Sequence, residues 1–192
     1  MKIAITAIAA IAGAATASPY FTAANGNQGV GSAPAGATAT MTIDLSGVNS
    51  WDAQFAAVNE SMSVAIGANA HIVGIGWDVS LSSVGASWLS EAVMDFNGAL
   101  FLTVGNGDDF AGTASYSSGG IFDLAGTGLD FVLAGDGLLN IEFFESFDDV
   151  SGAIDGTFGA GSSIQVQYAV IPAPSAMALL GLGGIVAGRR RR

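Results

Sequence analysis

The chain has 192 residues, 51% apolar and only 11% charged, with 28 glycines, one histidine and no cysteine. All five basic residues lie at the extreme ends, Lys2 and Arg189 to Arg192, while sixteen carboxylates run from Asp44 to Asp155 with no Lys or Arg among them. A body of that charge excludes nucleic-acid binding and adhesion to anionic lipid, and the missing cysteines exclude disulfide staples, thiolate chemistry and thiolate zinc sites.

Met1-Lys2 forms a minimal positive start, and Ile3 to Ala14 follows without a charge. Ala15-Thr16-Ala17 then has the A-x-A form of a cleavage site, and the chain turns polar at Ser18-Pro19-Tyr20. This three-part pattern predicts a secretory signal peptide over 1–17, with Ala15 and Ala17 as the cleavage determinants and Ser18 as the first mature residue. Its partners are the Sec translocon and signal peptidase. Residues 18–36 are small, polar and glycine-rich, which predicts a loose leader arm.

From 37 to 170 the pattern is one of short alternating segments separated by turn residues. Strands are predicted at Thr38–Leu45, Ser61–Ile66, His71–Leu81, Ala92–Phe96, Leu100–Val104, Thr113–Tyr116, Leu129–Leu133, Leu138–Phe144 and Ser162–Ala169. In the longest, Val73, Ile75, Trp77, Val79 and Leu81 fall on one face and predict its core side. Gly119-Gly120 and Asp136-Gly137 carry turn signals, and a short helical stretch is expected near Trp51–Val58. A turn about every ten residues, without a sustained helical period, predicts an all-β, jelly-roll-like antiparallel β-sandwich.

The chemical inventory of this body is thin. A Ser-His-Asp arrangement would have to use His71, which begins a strand and has no nucleophile-elbow motif near it. Carboxylate pairs are too numerous to single out a glycosidase pair without geometry. The expectation is therefore a non-enzymatic domain. Calcium is the better-supported ligand, because Asn106-Gly107-Asp108-Asp109 and Glu145-Ser146-Phe147-Asp148-Asp149 gather hard oxygen donors in loops. Asp108, Asp109, Asp148 and Asp149 are its candidate ligands, set against the plainer alternative of solvated acidic turns. Trp77 is expected in the core, with Trp51 and Trp88 left open as sugar-stacking residues.

The C-terminus is again tripartite. Ile171-Pro172-Ala173-Pro174 is stiff and non-helical, since each proline fixes φ and removes a donor. Ser175 to Gly188 is uncharged, and four arginines end the chain. As a helix those fourteen residues span about 21 Å against roughly 30 Å of hydrocarbon, too short for a comfortable permanent span. Snorkelling arginines and local thinning permit a transient span, with Arg189, Arg190, Arg191 and Arg192 marking the cytoplasmic boundary.

A proline motif, a short apolar helix and an arginine cluster together resemble the PEP-CTERM sorting signal, here over 171–192. The resemblance implies processing by an exosortase-type enzyme, with Ile171, Pro172, Ala173 and Pro174 as the recognition motif. The usual form is V-P-E-P, so Ala173 stands where that family carries glutamate. In broad outline the body is also similar to the jelly-roll module called a P-domain, through His71–Glu91, Ser146–Asp149 and Asp155–Phe158. The implied protein leaves the cytoplasm, is held briefly in the inner membrane by its tail, and reaches the cell surface or a polysaccharide matrix. Its expected role there is structural or interactive, with a Ca²⁺- or carbohydrate-binding adhesin module as the alternative.

Overall fold

The computed structural model describes residues 38–169 throughout, together with the backbone of two earlier strands, β1 (Thr6–Ala9) and β2 (Pro19–Ala24). Twelve more strands follow: β3 (Ala39–Asp44), β4 (Asn49–Ser50), β5 (Glu60–Ala65), β6 (His71–Ser83), β7 (Ala92–Phe96), β8 (Leu100–Asn106), β9 (Thr113–Ser117), β10 (Phe122–Asp123), β11 (Phe131–Val132), β12 (Leu138–Glu145), β13 (Gly156–Phe158) and β14 (Ser163–Ala169). One sheet has the order β1-β2-β8-β7-β12-β5, and the other β3-β14-β6-β13-β4. Every strand pairing is antiparallel except β2 with β8. The all-β expectation holds.

Alternation along the strands builds the core. Ala92, Met94 and Phe96 of β7, Leu100, Leu102 and Val104 of β8, and Leu139, Ile141 and Phe143 of β12 point one way from the first sheet. They meet Ile75, Trp77, Val79 and Leu81 of β6 and Ile164 and Val166 of β14 in a single buried cluster. The rings of Phe143 and Phe158 close the gap between the sheets, with centroids 5.7 Å apart in an edge-on arrangement. Burying each such side chain contributes about 1.5–3 kcal/mol, so the sandwich holds without disulfides. Val93, Phe101 and Phe144 form a smaller cluster on the opposite face of the first sheet.

β6 is the organiser of the second sheet. β14 and β13 lie along one of its edges, and β9, β10 and β11 share the other. Its expected face pattern needs one correction. Ile72, which strict alternation with that face would put on the far side with Gly74, is in the core, and Val73 is not part of that cluster. The cause is a β-bulge. Tyr168 opposes Ile72 while Gln167 opposes Gly74, so Val73 is the extra residue and the alternation is reset there.

Other expectations also change. No helix forms over 51–58, where Ala53 bridges to Glu145 and Phe55 adopts φ 70°. Asn59 takes over the local backbone bonds, accepting from Asp52 N at 3.0 Å and donating to Ala53 O at 2.9 Å, the competition that keeps such side chains out of helices. The segment 129–133 shrinks to the two residues of β11. The short β4, β10 and β13 carry too few residues for a period to register. Thr6–Ala9, inside the expected signal helix, is a strand paired with Pro19–Ala24, which makes part of the leader arm a paired strand rather than loose chain. Among the described residues no helix is long and apolar enough to cross a membrane, and the expected apolar helix of 175–188 lies outside them.

Candidate functional site

β12 runs inward-facing Leu139, Ile141 and Phe143, and the same alternation delivers Glu145 to the interior at the strand's end. Its side chain is 1% exposed. Backbone bonds knit four loops around it. Glu145 N donates to Asp52 O at 3.0 Å, and Ser146 N donates to Glu91 O at 2.8 Å. Asp155 N donates to Ser50 O at 3.0 Å, and Val84 N donates to Asp155 O at 2.7 Å. Glu145 and Glu91 therefore come from the first sheet's end, and Ser50 and Asp155 from the second's.

Gly156 makes room for this carboxylate, since a Cβ there would sit 3.3 Å from Glu145 Oε1 and 3.4 Å from Ser50 Cβ. Ser50 Oγ donates to Glu145 Oε1, but Glu145 Oε2 has no hydrogen-bond partner. Asp155, 2% exposed, has an unpartnered Oδ2, and Ser87 Oγ and Asp148 Oδ1 are buried without partners as well. Four unpartnered oxygens at one end of a sandwich are unusual, because buried polar atoms are nearly always bonded.

The electrostatics follow from burial among like charges. Burial pushes the Glu145 carboxyl up to about 8; Ser50 opposes the rise and Asp155, Glu91 and Asp149 add to it. Burial also raises Glu91 and Asp155. The Ser87 hydroxyl is near enough to oppose the rise at Asp155, although neither Ser87 Oγ nor Asp155 Oδ2 completes a hydrogen bond. Glu91 is better supplied, because Oε2 accepts from Trp88 N at 2.7 Å.

Outside this group opens a cleft of about 440 Å³, lined by Trp88, Ser90, Glu91, Asp109, Phe147 and Asp149 among others. Trp88 is 45% and Phe147 63% exposed, so two aromatic faces stand beside three carboxylates. Ser90 Oγ donates to Asp109 Oδ1 at 2.8 Å across the rim.

The structure divides the four expected calcium ligands. Asp109 and Asp149 share the cleft, and Asp148 joins the unpartnered group. Asp108 stands apart, its Oδ2 accepting from Tyr116 OH at 2.7 Å, a bond that together with burial raises the Tyr116 pKa. Among the described residues no three His, Asp or Glu side chains already converge as a metal cage. Sequence does not single out Glu145, Asp155, Ser50 or Ser87 as a group. For Glu145 it offers two signals, the parity with Phe143 and the place at the head of the acidic run 145–149. Trp77 is in the core as expected, and Trp51 Nε1 points to Glu60 Oε1 at 3.5 Å. His71 Nε2 lies 2.5 Å from Asp130 Oδ2 at the far end of β6, away from the cleft.

Ala15 and Ala17, the motif Ile171 to Pro174 and the arginines 189–192 lie outside the described residues. Residues 170–192 match the family model described as the PEP-CTERM protein-sorting motif, the segment that sequence singled out. No curated protein matches the chain.

Proposed function

We propose that this chain is an exported surface protein whose tail is a processing handle and whose acidic β-sandwich is the delivered cargo. The observation that carries this is the PEP-CTERM match at 170–192, which supports processing by an exosortase-type enzyme and transient residence in the membrane. The A-x-A site at Ala15-Thr16-Ala17 supplies the matching exit signal through the Sec translocon and signal peptidase. Removing both ends leaves a body without a single Lys or Arg, soluble by self-repulsion in a matrix of other polymers. The delivered domain is jelly-roll-like, non-enzymatic, and structural or interactive in role.

Intact mass of protein recovered from cells and from medium tests the delivery. The expected mature species begins near Ser18 and ends near Pro172. Recovery at the outer surface of a form still ending in Arg192 rejects tail cleavage.

The cleft favours a second, more specific reading, an adhesin that takes neutral carbohydrate. Trp88 and Phe147 offer stacking faces, and Glu91, Asp109 and Asp149 offer acceptors for sugar hydroxyls. Titration with a neutral glucan oligosaccharide should give millimolar or tighter binding that Trp88→Ala weakens at least tenfold. Equal binding by the variant removes the cleft from the account.

A further inference from the structure

We infer that Glu145 and Asp155 are the anchoring carboxylates of a Ca²⁺ site that pins the two sheets together at the cleft end of the sandwich. This inference stands apart from the delivery and carbohydrate readings, since it depends only on interior residues.

Geometry carries it. Glu145 closes β12 of one sheet, and Asp155 immediately precedes β13 of the other. Both side chains are at least nine-tenths buried, and each keeps one oxygen without a hydrogen-bond partner. Ser87 Oγ, fully buried beside Asp155, is the third unpartnered oxygen, and Asp148 Oδ1 a fourth. Among the described residues there is no Lys or Arg to act as a counter-charge, and the one histidine is engaged by Asp130. Ser50 joins the two carboxylates, its Oγ donating to Glu145 and its carbonyl accepting from Asp155 N, and an uncompensated buried carboxylate is strongly disfavoured, so the pair calls for a counter-charge.

The donor set selects the metal. Carboxylate and hydroxyl oxygens without nitrogen or sulfur suit a hard cation. No three acidic side chains form a closed cage, and Ser87 comes from a loop position, so the shell around Glu145, Asp155 and Ser87 has to be completed by other oxygens. Ca²⁺ tolerates irregular coordination completed by backbone carbonyls and water, whereas Mg²⁺ demands a small octahedron. Two carboxylates balance one divalent charge. The affinity expected is that of extracellular modules, a Kd of about 0.1–1 mM.

The test uses the full-length chain, stripped with EDTA and dialysed into 150 mM NaCl at pH 7. Ca²⁺ at 10 mM should raise Tm by about 3–6 °C, with Mg²⁺ giving less than a third of that. The double variant Glu145→Gln, Asp155→Asn should melt no lower than the parent in EDTA and lose the Ca²⁺ shift, whereas the exposed control Asp136→Asn keeps it. Calorimetry of the unaltered chain should report saturable, near-stoichiometric Ca²⁺ binding, whatever the fate of the variants. No Ca²⁺ shift overturns the inference. Equal shifts with both cations, or one retained in the double variant, assign the effect to diffuse screening of the acidic surface and overturn it as well. Saturable Ca²⁺ binding that survives unchanged in the double variant overturns it too.

Discussion

Asp95 and Glu145 are buried carboxylates on adjacent, paired strands, and the protein treats them in opposite ways. Asp95 sits on β7 opposite Glu142 of β12, on the face away from the main core. Its Oδ1 accepts from Gly98 N at 2.6 Å and its Oδ2 from Gln54 Nε2 at 2.9 Å, so both oxygens are used. The Gly98 bond shapes the tight β7–β8 turn, where Gly98 takes φ +66° at no steric penalty. Glu145 faces the interior, has one donor, Ser50, and three acidic neighbours. A carboxylate with both oxygens engaged explains itself as structure. One left half-bonded inside a core lacks a partner that the described residues supply.

Acidity should expose that contrast most strongly. In the absence of divalent cations, stability is expected to fall as pH rises from about 4.5 to 8. The folded protein binds the Glu145 proton up to about pH 8 while the unfolded chain releases it near 4.5, so deprotonation favours unfolding across that window. Below the window both states are protonated and the effect vanishes; above it the penalty is constant. A tenfold change in proton affinity between the two states is worth about 1.4 kcal/mol, so the loss across the window is several kcal/mol. Burial raises Asp95, Glu91 and Asp155 in the same direction. Urea midpoints measured in EDTA at pH 5 and 8 check this, and a chain more stable at pH 8 would refute it.

The second test sets the two acids side by side. Asp95→Ala removes the carboxylate that accepts from Gly98 N and the Gln54 amide, and should cost about 1–3 kcal/mol at both pH 5 and pH 8. Glu145→Gln keeps the shape and removes the charge, and should stabilise the cation-free protein at pH 8 while changing little at pH 5. Melting curves of both variants at the two pH values read this directly. Parallel behaviour of the pair would erase the distinction.

Much of the architecture was legible in sequence, because half-buried antiparallel strands write their period into the chain. Ala92–Phe96 forms as predicted, and Leu138–Phe144 and Ser162–Ala169 shift by one residue. Where the structure departs from the sequence reading, the cause is a bond that the hydrophobic period does not register, across a sheet or within a loop. The bulge at Val73 depends on β14, far along the chain, and Asn59 dissolves the expected helix by bonding back to Asp52 and Ala53. The site was less legible for the same reason. Runs of neighbouring acids stand out at 108–109 and 148–149, yet the buried pair comes from separate strand ends brought together only by sheet packing. Adjacency in sequence favours solvated turns, and Asp108, spent on Tyr116, shows how such an acid can serve its own loop instead of a ligand.

A smaller effect sharpens the role of the single donor at the buried carboxylate. Ser50→Ala removes the hydroxyl that supports the charged form of Glu145, so the carboxyl's pKa should climb further. The expected loss is about 1 kcal/mol at pH 8 and less at pH 5, where Glu145 is protonated. Denaturant midpoints at the two pH values separate these, and an equal loss at both would assign Ser50 a packing role only.

The smallest effect belongs to the cleft wall, and its smallness is what makes it informative. Trp88 is 45% exposed, and its link to Glu91 runs through the backbone N–H, which any residue but proline supplies. Trp88→Ala should therefore leave stability within about 0.5 kcal/mol of the parent. The Ca²⁺-dependent rise in Tm should also survive, because no indole atom belongs to the interior group. Loss of the Ca²⁺ response in Trp88→Ala would instead couple the cleft to the interior carboxylates, and the two would have to be treated as one site.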